Sequence, residues 1–239
     1  MNIYETDKLL AEYLLFHYAT AEEILPWEFG PREALDYPVR VAAHFSNEQA
    51  ARGLDIGCAV GRSSYEMSRN CNEVIGIDFS HAFAQAAEEM KTGSRVIPRL
   101  EEAHLNSDLS VSLPEGISTE RCQFEQGDAM NLREDLGTFD RVLAANLICR
   151  LPEPQKFLDR LPSLINPAGE LVLATPCTWL AEFTPPGNWP EGSTIHWLKE
   201  KLSEHFDLLE ESNEPFLIRE TARKFQWTVA LVTKWRRKS

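Results

Sequence analysis

One stretch constrains this chain more than any other: GLDIGCAVGRSS at 53–64. An apolar strand ends at Asp55, a glycine-bearing turn follows, and a helix begins near Arg62. Glycine belongs where a backbone turns sharply and approaches a ligand closely. The spacing is D-x-G-x-x-x-G through Asp55, Gly57 and Gly61. A dinucleotide fingerprint starting at Gly57 would need glycines at 59 and 62, where Ala59 and Arg62 stand. The third glycine of that fingerprint allows close helix–strand packing, which an arginine forbids. The turn is therefore open and rounded, and it lacks the lysine of a P-loop.

Around this turn the chain alternates. Strands are predicted at 53–56, 73–78, 122–125, 139–145 and 170–175, with helices at 62–69, 80–90, 154–165 and 193–206 between or after them. That rhythm predicts an α/β fold, doubly wound, with helices on both faces of a mostly parallel sheet. Weaker strand character near 207–211 precedes a clear strand at 225–235, and the last strand should enter antiparallel. Ahead of the sheet, Thr6 or Asp7 caps a helix to about Tyr18, and Pro38 starts another reaching about Phe45. The expected organisation is one domain, 1–239, with 1–50 a helical cover and 51–239 the core. Two segments break the rhythm: 91–121, polar and irregular, and 176–192, rich in proline and tryptophan. Both read as insertions that can build a pocket.

Strand ends carry the candidate chemistry, because open parallel sheets bind ligands there. Asp78 ends the second strand and can accept both ribose hydroxyls of a nucleoside. Asp128 follows the third and can accept an adenine amino group, with Ala129 and Met130 against the ring. Asn146 ends the fourth, at the crevice. Asp55 has a plainer reading, capping the turn, and Cys58 reads as a small buried residue. Lone histidines, His17, His81 and His196 among them, read chiefly as core or surface residues. The five cysteines form no C-x-x-C pair and the six histidines no metal-binding pair, so no metal site is expected and a cytoplasmic setting fits. Against 24 Lys and Arg stand 37 Asp and Glu, a net charge of −13, which argues against nucleic-acid and anionic-membrane partners.

These four strand-end motifs in order, closing with PAGELVLATP at 167–176, resemble the Rossmann-like S-adenosylmethionine-dependent methyltransferases. The flanks, YETDKLLAEYLLFHYATAEEILPWEFGP, DIGCAVGRSS, IGIDFSHAF and ETARKFQWTVA, look like the 4-mercaptohistidine N-methyltransferases of ovothiol biosynthesis. That family includes the C-terminal domain of bifunctional 5-histidylcysteine sulfoxide synthase. The resemblance covers essentially the whole chain. It implies a seven-stranded sheet, S-adenosyl-L-methionine as cofactor, and methyl transfer to an imidazole nitrogen of 5-thiohistidine. It also implies a fused or neighbouring sulfoxide synthase, whose iron-binding histidine motif has no counterpart here.

On that reading the cofactor set is Arg40, Asp55, Gly57, Cys58, Ala59, Gly61, Asp78, Phe79, Ser80, Asp128, Ala129, Met130 and Asn146. Arg40 would take the cofactor carboxylate. The substrate set is Tyr4, Trp27, Phe29, Asn146, Trp179, Trp189, Arg219 and Glu220, with a cation such as Arg219, Arg223 or Lys224 for a carboxylate and Glu220 for an ammonium. No dedicated catalytic base is assigned, since a neutral imidazole carries its own lone pair. Two alternatives stay open: a methyltransferase for another small amine, thiol or acid, and a non-catalytic cofactor-binding module.

Overall fold

The computed structural model describes residues 3–239. The chain begins with α1 (Asp7–Tyr18), α2 (Ala21–Ile24) and α3 (Tyr37–Ala42). It continues through β1 (Ala50–Ile56), α4 (Arg62–Met67), β2 (Cys71–Asp78), α5 (His81–Glu89), β3 (Ser94–Glu102), β4 (Leu105–Ser112), β5 (Cys122–Gln126) and β6 (Phe139–Ala145). It ends with α6 (Pro154–Leu164), β7 (Ile165–Thr175), α7 (Thr194–Leu202), β8 (Phe206–Arg219) and β9 (Phe225–Arg237).

Seven strands form one sheet in the order β5-β2-β1-β6-β7-β9-β8. The first five are parallel neighbours, and β9 enters antiparallel between β7 and β8. This is the expected doubly wound sheet with its antiparallel last strand. Chain order runs outward in one direction from β1 through β2 to β5, then in the other through β6 and β7. The reversal between β1 and β6 opens a crevice at the C-terminal strand ends.

Apolar side chains of the sheet are buried on both faces. On one, Leu54, Ile56, Leu171 and Leu173 pack with Phe157 and Leu161 of α6 and Leu198 of α7. On the other, Leu143, Val172 and Ala174 pack with Phe16 of α1, Val41 of α3 and Tyr65 of α4. Helix starts follow the sequence: Thr6 accepts from Leu9 N, Thr20 and Glu23 form a capping box, and Ser80 Oγ accepts from Phe83 N. No helix among the described residues is long and apolar enough to cross a membrane.

Three sequence expectations are corrected. The 91–121 segment is no irregular insertion but holds the β3–β4 hairpin. Its inward positions, Ile97 and Val111, are buried, while polar residues dominate the rest and hide the alternation. Strand β8 runs to Arg219 and pairs along its length with β9, so 220–224 is a hairpin turn. Strand β7 begins at Ile165 rather than 170, directly where α6 stops. The hairpin also ties the N-terminal helices down. Arg219, 3% exposed, donates to Glu23 O (2.7 Å) and pairs with Glu101 (2.5 Å) of β3, and Arg99 pairs with the same Glu101 (2.8 Å).

Candidate active site

A cavity of about 620 Å³ opens at the C-terminal ends of β1, β2, β5 and β6 and is roofed by the N-terminal helices. Its floor is the glycine turn. Gly57, Ala59 and Gly61 all take positive φ, of 76°, 49° and 87°. Gly57 N and Cys58 N both donate to Ile77 O, at 2.7 and 3.1 Å. Gly57, Cys58 and Ala59 line the cavity, whereas Gly61 does not. A Cβ at Gly61 would lie 2.8 Å from Ala87 Cβ and from the Phe124 ring, so this glycine serves helix–sheet packing.

Asp55 also lies off the wall. It is buried beneath the turn, where Oδ2 accepts from Ser63 Oγ (2.7 Å) and Ser64 Oγ (2.6 Å), tying β1 to the start of α4. Burial pushes its carboxyl up to about 6, against the pull of those serine hydroxyls. Its plainer reading, a clamp on the turn, describes where it sits.

Asp78 does face the cavity. Ala59 N donates to its Oδ2 and Ser80 N to its Oδ1, both at 2.8 Å. Each carboxylate oxygen keeps further acceptor capacity, so the pair can take two neighbouring hydroxyls. Burial raises this carboxyl to about 6, with the backbone N–H groups opposing. Phe79, 60% exposed, and Ser80 follow on the same wall. Across from them, Asp128 Oδ1 accepts from Met130 N at 2.8 Å, holding Ala129 and Met130 in a short turn that also lines the cavity. Its second oxygen is available to an amino group.

At the end of β6, Asn146 sits at φ 56° and its Oδ1 accepts from the Tyr37 hydroxyl at 3.1 Å. That bond fixes the amide so that its NH₂ remains a donor. The cavity is also lined by the rings of Tyr4, Tyr13, Phe16, Tyr37, Phe83 and Phe216. Tyr13 stacks at a tilt on Phe83 (4.8 Å) and Tyr37 on Phe216 (4.9 Å). His17 also lines the cavity, against Phe16 at 5.2 Å, with Nδ1 lacking a hydrogen-bond partner among the described residues. Burial, with Arg62 adding to it, holds this imidazole down to about 3, so it is neutral.

The remaining expectations lie elsewhere. Arg40 is not on the cavity wall: its Nε pairs with Glu214 (2.8 Å) and it donates to Pro215 O, bolting α3 to β8. Arg219 is buried in the hairpin tie, and Glu220 pairs with Lys224 across the β8–β9 turn. Trp27 and Phe29 stack on each other at 5.8 Å beside a separate surface groove with Arg223 and Trp227. Trp179 Nε1 donates to Thr194 Oγ1 (3.0 Å) and Trp189 Nε1 to Thr184 O (2.8 Å), so both indoles brace the 176–192 segment from behind. That segment reaches the cavity through Pro176, Thr178, Leu180 and Phe183 instead. The sequence reading placed neither His17 nor Arg150 in the site. Tyr13, Phe16 and His17 follow the helical spacing of a core face, which conceals a cavity lining.

Residues 27–219 match the family described as a methyltransferase domain. The chain belongs to that family. A relative within reach of sequence comparison is the tRNA U34 carboxymethyltransferase of Idiomarina loihiensis, 26% identical over 64% of this chain and 45% of its own length. The ubiquinone biosynthesis O-methyltransferase of Coxiella burnetii is 25% identical over 51% of this chain and 42% of its own. The chain thus spans about half the length of these curated relatives. In structure it resembles the N-methyltransferase NodS of Bradyrhizobium japonicum, solved with S-adenosyl-L-homocysteine. The TM-score is 0.56 and the identity 15%, covering 96% of this chain and 99% of that one. At such identity the likeness is one of fold.

Proposed function

We propose that this chain is an S-adenosylmethionine-dependent N-methyltransferase acting on an imidazole ring nitrogen of 5-thiohistidine. The observation that carries the reading is the two-sided cavity. On the β5-β2-β1 half, the turn backbone, Asp78 and Asp128 offer the acceptors a nucleoside needs. On the β6 half, Asn146 with the Tyr37, Phe16 and Phe216 rings borders room for a small planar acceptor. Acceptors already braced by backbone N–H groups, as Asp78 and Asp128 are, suit a bound adenosine.

The bound sulfonium supplies an electrophilic methyl group. The protein's residues align the acceptor and keep water out. A neutral imidazole attacks with a ring lone pair and afterwards releases a proton from its other nitrogen, so catalysis needs orientation first. The Asn146 NH₂ is a donor beside the acceptor space. His17, held neutral by burial, also lines this space, with its Nδ1 closed off from the cavity. The Asn146 amide would help select which nitrogen faces the methyl group. The 5-thiohistidine assignment rests on the family resemblance of the flanking motifs; a fused or neighbouring sulfoxide synthase would make its precursor, from which cleavage of the cysteine C–S bond leads to that substrate.

A second reading is methylation of another small amine, thiol or acid, since the ring-lined cavity offers room to any small planar acceptor. The experiment is mass spectrometry of the chain incubated with S-adenosylmethionine and a panel of imidazoles, phenols and thiols that includes histidine and 5-thiohistidine. A methylated product from 5-thiohistidine supports the reading. Methylation of other acceptors only would replace it with the second.

A further inference from the structure

The cavity wall carries one arginine or lysine among the described residues, and that is Arg150. Arg150 follows β6, on the acceptor half. Its Nη1 donates to Cys149 O (3.1 Å) and Thr178 O (2.9 Å), and its guanidinium lies 4.8 Å from the Phe183 ring centre. These contacts hold the plane in place without neutralising it. Among the described residues no carboxylate forms an ion pair with Arg150, in a chain of net charge −13. Glu153, the wall acid nearest Arg150 in sequence, is engaged by Lys156 at 2.7 Å. Beside Arg150 stands Tyr4, whose phenol feels the guanidinium through a hydrogen bond and the Asp78 charge at longer range.

A preoriented cation with no protein anion, set in a largely aromatic wall, is built to receive an anion from a ligand. We propose that Arg150 binds the α-carboxylate of the acceptor, which makes the acceptor an amino acid rather than a simple amine. This rests on the methyltransferase reading above and names the substrate class of the same site. The cofactor's own methionine head carries the same chemistry. Strand order favours the acceptor: Asp78 and Asp128 stand at the ends of β2 and β5, while Arg150 is held by the segment after β7, on the other side of β1.

The test is calorimetric titration of the full chain saturated with S-adenosylhomocysteine. The ligands are 5-thiohistidine and its decarboxylated amine, and the proteins are wild type, R150Q and R150K. Wild type should bind the carboxylate-bearing ligand at least tenfold tighter than the amine. R150Q should erase that preference while binding the amine as wild type does, and R150K should restore part of it. A purely structural role for Arg150 would weaken both ligands alike and leave the ratio unchanged, which would overturn the proposal. A tenfold loss of S-adenosylhomocysteine affinity in R150Q with the acceptor ratio intact would assign the guanidinium to the cofactor head and also overturn it. No binding of 5-thiohistidine by wild type would overturn the thiohistidine reading and this inference together, an outcome distinct from both.

Discussion

The Tyr37 hydroxyl donates to Asn146 Oδ1 across 3.1 Å, joining the start of α3 to the end of β6. The roof of the cavity and the strand end beneath it are thereby held in one arrangement. Asn146 pays for its place with a left-handed backbone, φ 56°, which asparagine tolerates better than most residues. Burial keeps the Tyr37 phenol protonated throughout the working pH range, so the bond is always available.

Removing that hydroxyl tests the arrangement. Tyr37→Phe should cost about 0.5–1.5 kcal/mol of stability, the usual net worth of one hydrogen bond. It should lower kcat/KM several-fold through a looser Asn146, with cofactor affinity little changed. Thermal melts and steady-state kinetics read both. An unaltered kcat/KM would detach Asn146 from the acceptor.

On the proposed reading, Asp78 takes the ribose of the nucleoside. Asp78→Ala removes a carboxylate able to serve two hydroxyls, at about 1.5–3 kcal/mol per charged bond, and frees Ala59 N and Ser80 N. Titration with S-adenosylhomocysteine should show at least a tenfold weaker affinity. Unchanged affinity would remove Asp78 from the site.

The buried Asp55 gives a signed pH dependence. Burial holds its carboxyl at about 6 in the fold, against an ordinary value of 3.8. Between pH 4 and 6 the folded chain therefore binds more protons than the unfolded one, and this group's contribution to stability falls as pH rises through that window. Asp55→Asn cannot titrate. The stability of wild type relative to this variant should drop by on the order of 2 kcal/mol from pH 4 to 7. Denaturant titrations across that range would show a flat difference if the carboxyl were ordinary.

Much of this was legible in the sequence where side-chain periodicity and turn chemistry act locally. The parallel strands, the caps at Thr6 and Ser80, and the strand-end carboxylates of Asp78 and Asp128 follow from neighbours within a few residues. What was not legible depends on partners far along the chain. Arg40 finds Glu214, and Arg219 finds Glu23 and Glu101, so cations that looked available for a ligand are used to bind elements together. The tryptophans at 179 and 189 brace a segment whose cavity-facing residues are Pro176, Thr178, Leu180 and Phe183. The β3–β4 hairpin escaped notice because its strands are solvent-facing over most positions, which blurs the two-residue period.

Substrate choice is the central claim, and kcat/KM for 5-thiohistidine against histidine, under identical conditions, tests it most directly. The sulfur gives a fitted pocket an extra polarizable contact, and its thiolate form enriches the ring in electrons. Missing contacts of this kind cost about 10–200-fold in specificity. A preference for 5-thiohistidine of at least that order is predicted. Equal values, or a preference for histidine, would contradict the thiohistidine assignment while leaving the chain a member of the methyltransferase-domain family.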